Sequence, residues 1–331
     1  MRNSSVRRSQ IIGTGGYLPT MVLSNDALAA AYGLDTTDAW ITERTGIRQR
    51  HVAAPDELAS DLGAAAAREA LAQAGVDASE VDLIIVATAT PDSGFPATAV
   101  RIQQKLGVPG GFAFDVAAAC TGFVYALGVA DSLIRTGAAR TALVIGAEVF
   151  TRILDWTDRG TCVLFGDGAG AVVLRAGDGE GSADDRGVLG THLHSDGRFG
   201  DLLHVDIAGA PAGSPQGVVR MAGREVFRHA VGKLAAAVDE ALVAAGLTHE
   251  DVNWLVPHQA NLRIIEAMGR KLHLAPERVV VTVDRHANTS AASIPLALAE
   301  ATRDGRIKTG DLVVMEAIGG GLTWGAALAR F

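Results

Sequence analysis

Three polar residues, each at the junction of an apolar strand-like run and a helical stretch, carry the chemistry this sequence offers. They are Cys120 in AACTGF (118–123), His258 in VPHQAN (256–261) and Asn288 in RHANTSAASIP (285–295). A thiol at a helix start meets the positive end of the dipole and unpaired backbone N–H groups. That is expected to bring its pKa down from about 8.5 and supply a thiolate. Taken alone, a cysteine is more often a small buried core residue, and that reading is kept for Cys162 in TCVLF (161–165). A lone histidine is usually structural and a lone asparagine is usually a helix N-cap. Strand ends, however, are where α/β proteins build their sites. The glycines of AIGGGLTWG (317–325) let a backbone pass close to a ligand and aim N–H groups at it. Together these define a narrow chemistry. Cys120 attacks a thioester, the N–H groups of Cys120 and Gly320 take up oxyanion charge, and His258 and Asn288 donate to a second thioester carbonyl. Asparagine donates at any pH and cannot remove a proton, which favours decarboxylation over deprotonation as the source of a carbanion.

The elements that must bring these residues together repeat. EALAQAG (69–75) followed by VDLIIV (81–86) returns as EALVAAG (240–246) followed by VNWLVP (252–257), at a constant offset of 171 residues. Each copy reads as a helix closed by Gly75 or Gly246, then a turn, then a buried strand. FAFDV (112–116), a helix from Cys120 to Thr136 and TALVIGAE (141–148) are echoed by VVVTV (279–283), a helix from about Ser290 to Arg303 and DLVVMEA (311–317). Two echoes in the same order predict a duplicated half-chain unit of alternating strands and helices, with mostly parallel sheets covered by helices. Under that offset Cys120 maps beside Ser290, so a pseudo-twofold axis would gather Cys120, His258 and Asn288. The predicted layout is a tail over 1–9, a nucleophile-bearing half over 10–180 and a half over 181–331 carrying His258 and Asn288.

Bulk properties agree with a globular α/β enzyme: 331 residues, 48% hydrophobic, 20% charged, and 39 glycines without a collagen period. A net charge of −8 argues against nucleic acid as a partner. MRNSSVRRS at the start is not followed by an apolar segment, and no run of about 18 apolar residues occurs, so a cytosolic protein with free thiols and no membrane partner is expected. Neither cysteine has a second Cys or a His at ligand spacing, so no metal is expected. AIGGGLTWG and FGDGAGAVVL (165–174) both lead into strands. That argues against dinucleotide loops and makes the second a glycine turn that holds two chain segments together.

AACTGF, FGDGAGA, VPHQAN, HANTSAASIP and GGGLTWG together resemble the β-ketoacyl-[acyl carrier protein] synthase III family, from about residue 10 to the C-terminus. The resemblance implies the five-layered αβαβα thiolase fold with two pseudo-twofold-related halves and mixed, mostly parallel sheets. It also implies a homodimer, a Cys120–His258–Asn288 triad and an acyl-CoA substrate condensed with malonyl-[acyl carrier protein], with no metal or redox cofactor. It further implies that Trp40 in DAWITERTGIRQRH (38–51) stacks on coenzyme A beside Arg44 and Arg159, with Asn261 also on the substrate path. Phe95 and Ile318 would line the acyl pocket, and Arg228, Arg263, Arg270 and Lys271 would meet the acidic carrier. Without the resemblance, Trp40 and Arg44 would simply pack on one helix face, and the four basic residues would be solvated. Ala287 departs from the family, which often has glycine before the key asparagine; it is harmless if its φ is negative and costly otherwise. A degradative thiolase would need a second cysteine near AIGGGLTWG, and none is there. The remaining alternatives are a relative working in specialised polyketide metabolism, a papain-type peptidase with the same residue trio, and a non-catalytic acyl-CoA-binding protein.

Overall fold

The computed structural model describes residues 6–206 and 217–331. Its first half runs β1 (Val6–Tyr17), β2 (Met21–Ser24), α1 (Asn25–Tyr32), α2 (Asp38–Thr45), β3 (Gln49–Val52) and α3 (Ala59–Ala74). It continues through β4 (Leu83–Ala87), α4 (Thr98–Leu106), β5 (Phe112–Val116), α5 (Gly122–Thr136), β6 (Thr141–Glu148) and β7 (Gly168–Gly179). The second half runs β8 (Gly187–Ser195), β9 (Leu203–Val205), β10 (Val219–Met221), α6 (Gly223–Ala244), β11 (Trp254–Pro257) and α7 (Leu262–Lys271). It ends with α8 (Val283–His286), α9 (Ser293–Arg303), β12 (Leu312–Gly319) and β13 (Thr323–Arg330).

Two mixed sheets carry the fold, in the orders β1-β7-β6-β4-β5 and β11-β12-β13-β8. β4 pairs in parallel with β5 and β6, and β11 in parallel with β12, whereas β1–β7, β7–β6, β12–β13 and β13–β8 are antiparallel. The central layer is α5 and α9. Phe123, Leu127, Ala130 and Ile134 of α5, at the helical spacing read from sequence, are buried with Ile294 and Leu298 of α9 between inward residues of both sheets. α3 and α4 cover the outer face of the first sheet, and α6 and α7 that of the second. These are the five αβαβα layers.

The first echo holds in detail. α3 ends at Gly75 with φ 63, α6 is followed by Gly246 with φ 70, and each leads into the expected strand. The second echo needs a correction. VVVTV is not a strand, and β5 has only an isolated bridge, Leu255 to Val279, as its counterpart. The buried Gln259 side chain takes over the ladder's work. Its Nε2 donates to the carbonyls of Pro257 (2.9 Å) and Val280 (3.0 Å), and its Oε1 accepts from the N–H groups of Thr282 (2.8 Å) and Val283 (3.0 Å). With those N–H groups satisfied, the chain turns into α8 and on to Asn288. The predicted tail also changes: residues 1–5 lie outside the described residues, and Val6–Ser9 pair with β7.

Candidate active site

Cys120, His258 and Asn288 line one cavity of about 240 Å³, and Asn261 and Ile318 line it too. Each of the three is delivered by a different junction. Cys120 sits in a 3₁₀ turn, Ala119–Thr121, between β5 and α5, and Ala119 holds a positive φ of 44°. His258 follows β11 directly, and its N–H donates to the carbonyl of Glu316 on β12 (2.8 Å). Asn288 bridges to Phe165: its N–H donates to the Leu164 carbonyl (2.9 Å) and its carbonyl accepts from Gly166 (3.0 Å). FGDGAGA thus holds two chain segments together, as its sequence suggested, though through a bridge and the start of β7 and not through a turn.

The Asn288 side chain is oriented by its neighbour. Oδ1 accepts from the Ser290 N–H (2.8 Å), which leaves the Nδ2 donor for the cavity. Gly319 lies so close to Cys120 that a Cβ there would stand 2.7 Å from the Cys120 nitrogen. This brings the Gly319–Gly321 turn against Cys120, where N–H groups can meet a developing oxyanion.

Electrostatics depart from expectation at Cys120. The residue is 5% exposed, and burial pushes its thiol up to about 12, with Glu148 adding to the rise and Ser290 opposing it. The predicted acidification is therefore overridden in the free site by desolvation. Burial likewise brings His258 down to about 3, so its imidazole is neutral. Its Nδ1 is buried without a hydrogen-bond partner among the described residues.

Sequence reading missed Glu148 and Ser290. Glu148 ends β6 fully buried, accepting from Thr90 Oγ1 (2.6 Å) and the Ala89 N–H (3.1 Å), and burial raises it to about 7. Ser290 stands close enough to influence both Cys120 and Glu148, although its hydroxyl completes no hydrogen bond among the described residues. A carboxylate closing the apolar run TALVIGAE was a usable signal. Leu203 and Met221, which bring β9 and β10 to the cavity, carried none.

The other predicted residues fall into groups. The guanidinium carbons of Arg44 and Arg159 lie 4.5 and 4.7 Å from the Trp40 ring centroid, so those three do meet. Asn261 caps α7 and donates to the Arg44 carbonyl (3.1 Å), joining that cluster to the cavity. Arg228, Arg263, Arg270 and Lys271 are exposed on α6 and α7, and Arg228 and Arg263 are sequence neighbours of the cavity-lining Phe227 and Ile264. Phe95 is not among the residues lining its own chain's cavity and is 90% exposed. Ala287 has φ 57 and ψ −163, the costly case.

Two family models match this chain: 3-oxoacyl-[acyl-carrier-protein] synthase III over residues 114–197 and the C-terminal region of the same synthase over 242–331. A β-ketoacyl-[acyl-carrier-protein] synthase III of Acidiphilium cryptum is 65% identical, covering 98% of this chain and 100% of the relative. The crystal structure of the Aquifex aeolicus 3-oxoacyl-[acyl-carrier-protein] synthase III superposes with a TM-score of 0.90 at 48% identity, covering 98% and 100% of the two chains. A priming β-ketosynthase of the R1128 polyketide pathway superposes with a TM-score of 0.91 at 37% identity, covering 100% and 98%. The chain belongs to the β-ketoacyl-[acyl-carrier-protein] synthase III family.

Proposed function

We propose that this enzyme joins a short acyl group, taken from coenzyme A, to malonyl-[acyl carrier protein] and so begins fatty-acid synthesis. The observation that carries the reading is the single cavity shared by Cys120, His258 and Asn288, with the Asn288 amide turned so that it can only donate into it. In the first half-reaction the Cys120 sulfur attacks the acyl thioester. The carbon–sulfur bond to coenzyme A breaks, the thiol proton leaves with the departing thiolate, and an acyl-Cys120 forms. Backbone N–H groups of Cys120 and Gly320 hold the tetrahedral oxyanion. In the second, the malonyl carboxylate leaves as CO2, and the enolate oxygen is held by Asn288 Nδ2 and neutral His258. The carbanion displaces the Cys120 thiolate from the acyl group, and that thiolate takes up a proton from solvent. Trp40, Arg44, Arg159 and Asn261 position the coenzyme, and Ile318 contributes a wall of the acyl pocket. No metal or redox group enters these steps.

A specialised polyketide role would use the same triad, but the 65% identical relative carries the name β-ketoacyl-[acyl-carrier-protein] synthase III and the polyketide enzyme stands at 37%. The experiment uses purified protein with labelled acetyl-CoA and malonyl-carrier protein. Wild type should form an acetyl adduct on Cys120 and labelled acetoacetyl-carrier protein, and Cys120→Ala neither; undiminished product from that variant would sink the reading.

The exposed Phe95 has a place if two chains pair and each offers this ring to its partner's acyl pocket, and the exposed basic residues of α6 and α7 suit an acidic carrier. Sedimentation should then give twice the chain mass, and Phe95→Ala should shift acyl-chain preference without slowing acetyl loading.

A further inference from the structure

Arg50 on β3 is an arginine with no exposed surface, and it forms no ion pair among the described residues. A buried cation without an anion is costly, so what it holds matters. Its Nη1 donates to the Leu23 carbonyl on β2 (3.2 Å) and its Nη2 to the Val163 carbonyl (2.9 Å), while Nε is buried without a partner among the described residues. Burial lowers its pKa to about 10, which still leaves it charged at neutral pH, with Cys162 beside it.

Val163 is one residue from the clamp on Asn288, formed by the Leu164 carbonyl and the Gly166 N–H. Gly166 marks how tightly this junction is packed. A Cβ there would stand 2.9 Å from Arg50 Cβ, 3.0 Å from the His286 carbonyl and 3.4 Å from that of His51. The Arg48 N–H, just before β3, donates to the Asp284 carbonyl on α8, and the Asp167 N–H, just after the 163–166 segment, donates to the His51 carbonyl on β3.

We propose that Arg50 is a positioning residue for the decarboxylation half-reaction, its charged fork fixing the 163–166 segment and through it the Asn288 amide. A planar fork holds two donors in fixed directions toward carbonyls on different segments, whereas a lysine ammonium has donors enough but does not fix their directions. The inference rests on the reading of Asn288 as the enolate donor.

The test measures two rates separately: acetylation of Cys120 by acetyl-CoA, followed by intact mass, and release of CO2 from malonyl-carrier protein. A misplacement of order 1 Å can cost about 10²-fold in rate. Arg50→Met should slow CO2 release by about 10- to 100-fold while acetylation stays within about twofold, and Arg50→Lys should fall between it and wild type. If Arg50→Met does not fold, Arg50→Lys carries the test by the same ratio of rates. Parallel loss of both rates, or CO2 release at the wild-type rate, overturns the proposal. Asn288→Ala distinguishes the causes. Normal CO2 release in that variant overturns the enolate reading itself, whereas impaired release there with normal release in the Arg50 variants overturns Arg50 alone.

Discussion

At the scale of single residues, the local rule for Cys120 and its tertiary environment disagree. A helix start favours a thiolate, but the side chain lies in a desolvated cavity with Glu148 close by, and its thiol is pushed up to about 12. Resting Cys120 is therefore a thiol whose ionised fraction grows tenfold per pH unit. Alkylation of Cys120 by iodoacetamide should rise steadily from pH 7 to 10, and a plateau beginning near pH 7 would contradict it. Ala287 shows the other kind of disagreement. Its φ of 57 and ψ of −163 lie in a region that glycine enters freely and alanine does not. Ala287→Gly should raise stability by about 1 kcal/mol or more in urea unfolding, since the relieved strain exceeds the small loss of a buried methyl and of unfolded-chain entropy. Lower stability would show that the methyl's packing matters more. Neither effect could be read from the sequence. The first depends on how deeply the elbow is buried and the second on a φ angle, although the position of both residues beside the chemistry was plain from the motifs.

At the scale of elements, the two helix-turn-strand units were legible because glycines at C′ and fully apolar strands leave a periodic pattern in the chain. The junctions were less so. VVVTV has every mark of a buried strand, yet the carboxamide of Gln259 satisfies two of the N–H groups at its end and releases the chain into α8. A side chain that replaces a ladder from more than 20 residues away leaves no local signal. Gln259→Ala should leave these buried backbone groups without partners, at about 1–3 kcal/mol for each one unsatisfied. Total destabilisation in guanidinium should reach about 2–5 kcal/mol, and the condensation rate should fall with it because Thr282 and Val283 open the route to Asn288. A loss under about 0.5 kcal/mol would mean that the bonds are replaceable. The cluster around Trp40 is an intermediate case. Trp40 and Arg44 share α2 as their spacing implied, while Arg159, 115 residues further on than Arg44, joins them only through the fold.

At the scale of the whole molecule, burial of ionisable groups in the core sets how stability varies with pH. Burial raises Glu148 from 4.5 to about 7 and Glu316 from 4.5 to about 8, and lowers His258 and His286 from 6.5 to about 3 and about 4. For the two glutamates the folded state holds its protons longer than the unfolded one. Their contribution is complete below about pH 4.5 and is lost as pH rises through 7 to 8. For the two histidines the unfolded state takes up protons first, so stability is lost as pH falls below 6.5 towards 3 to 4. The sets oppose each other between about 4.5 and 6.5, and above 6.5 only the glutamates titrate. Stability should therefore peak in slightly acid solution and decline from pH 6.5 to 8, before either cysteine ionises. Glu316 has no hydrogen-bonding partner for Oε2 among the described residues, and its backbone carbonyl, not its side chain, holds His258. Glu316→Gln removes one titrating group while keeping that backbone bond, so its melting temperature should be flatter than wild type's across pH 6.5 to 8 and higher at pH 8. A wild-type melting temperature that climbs across that interval, or a Glu316→Gln curve parallel to it, would mean that the core lets these carboxyls ionise freely.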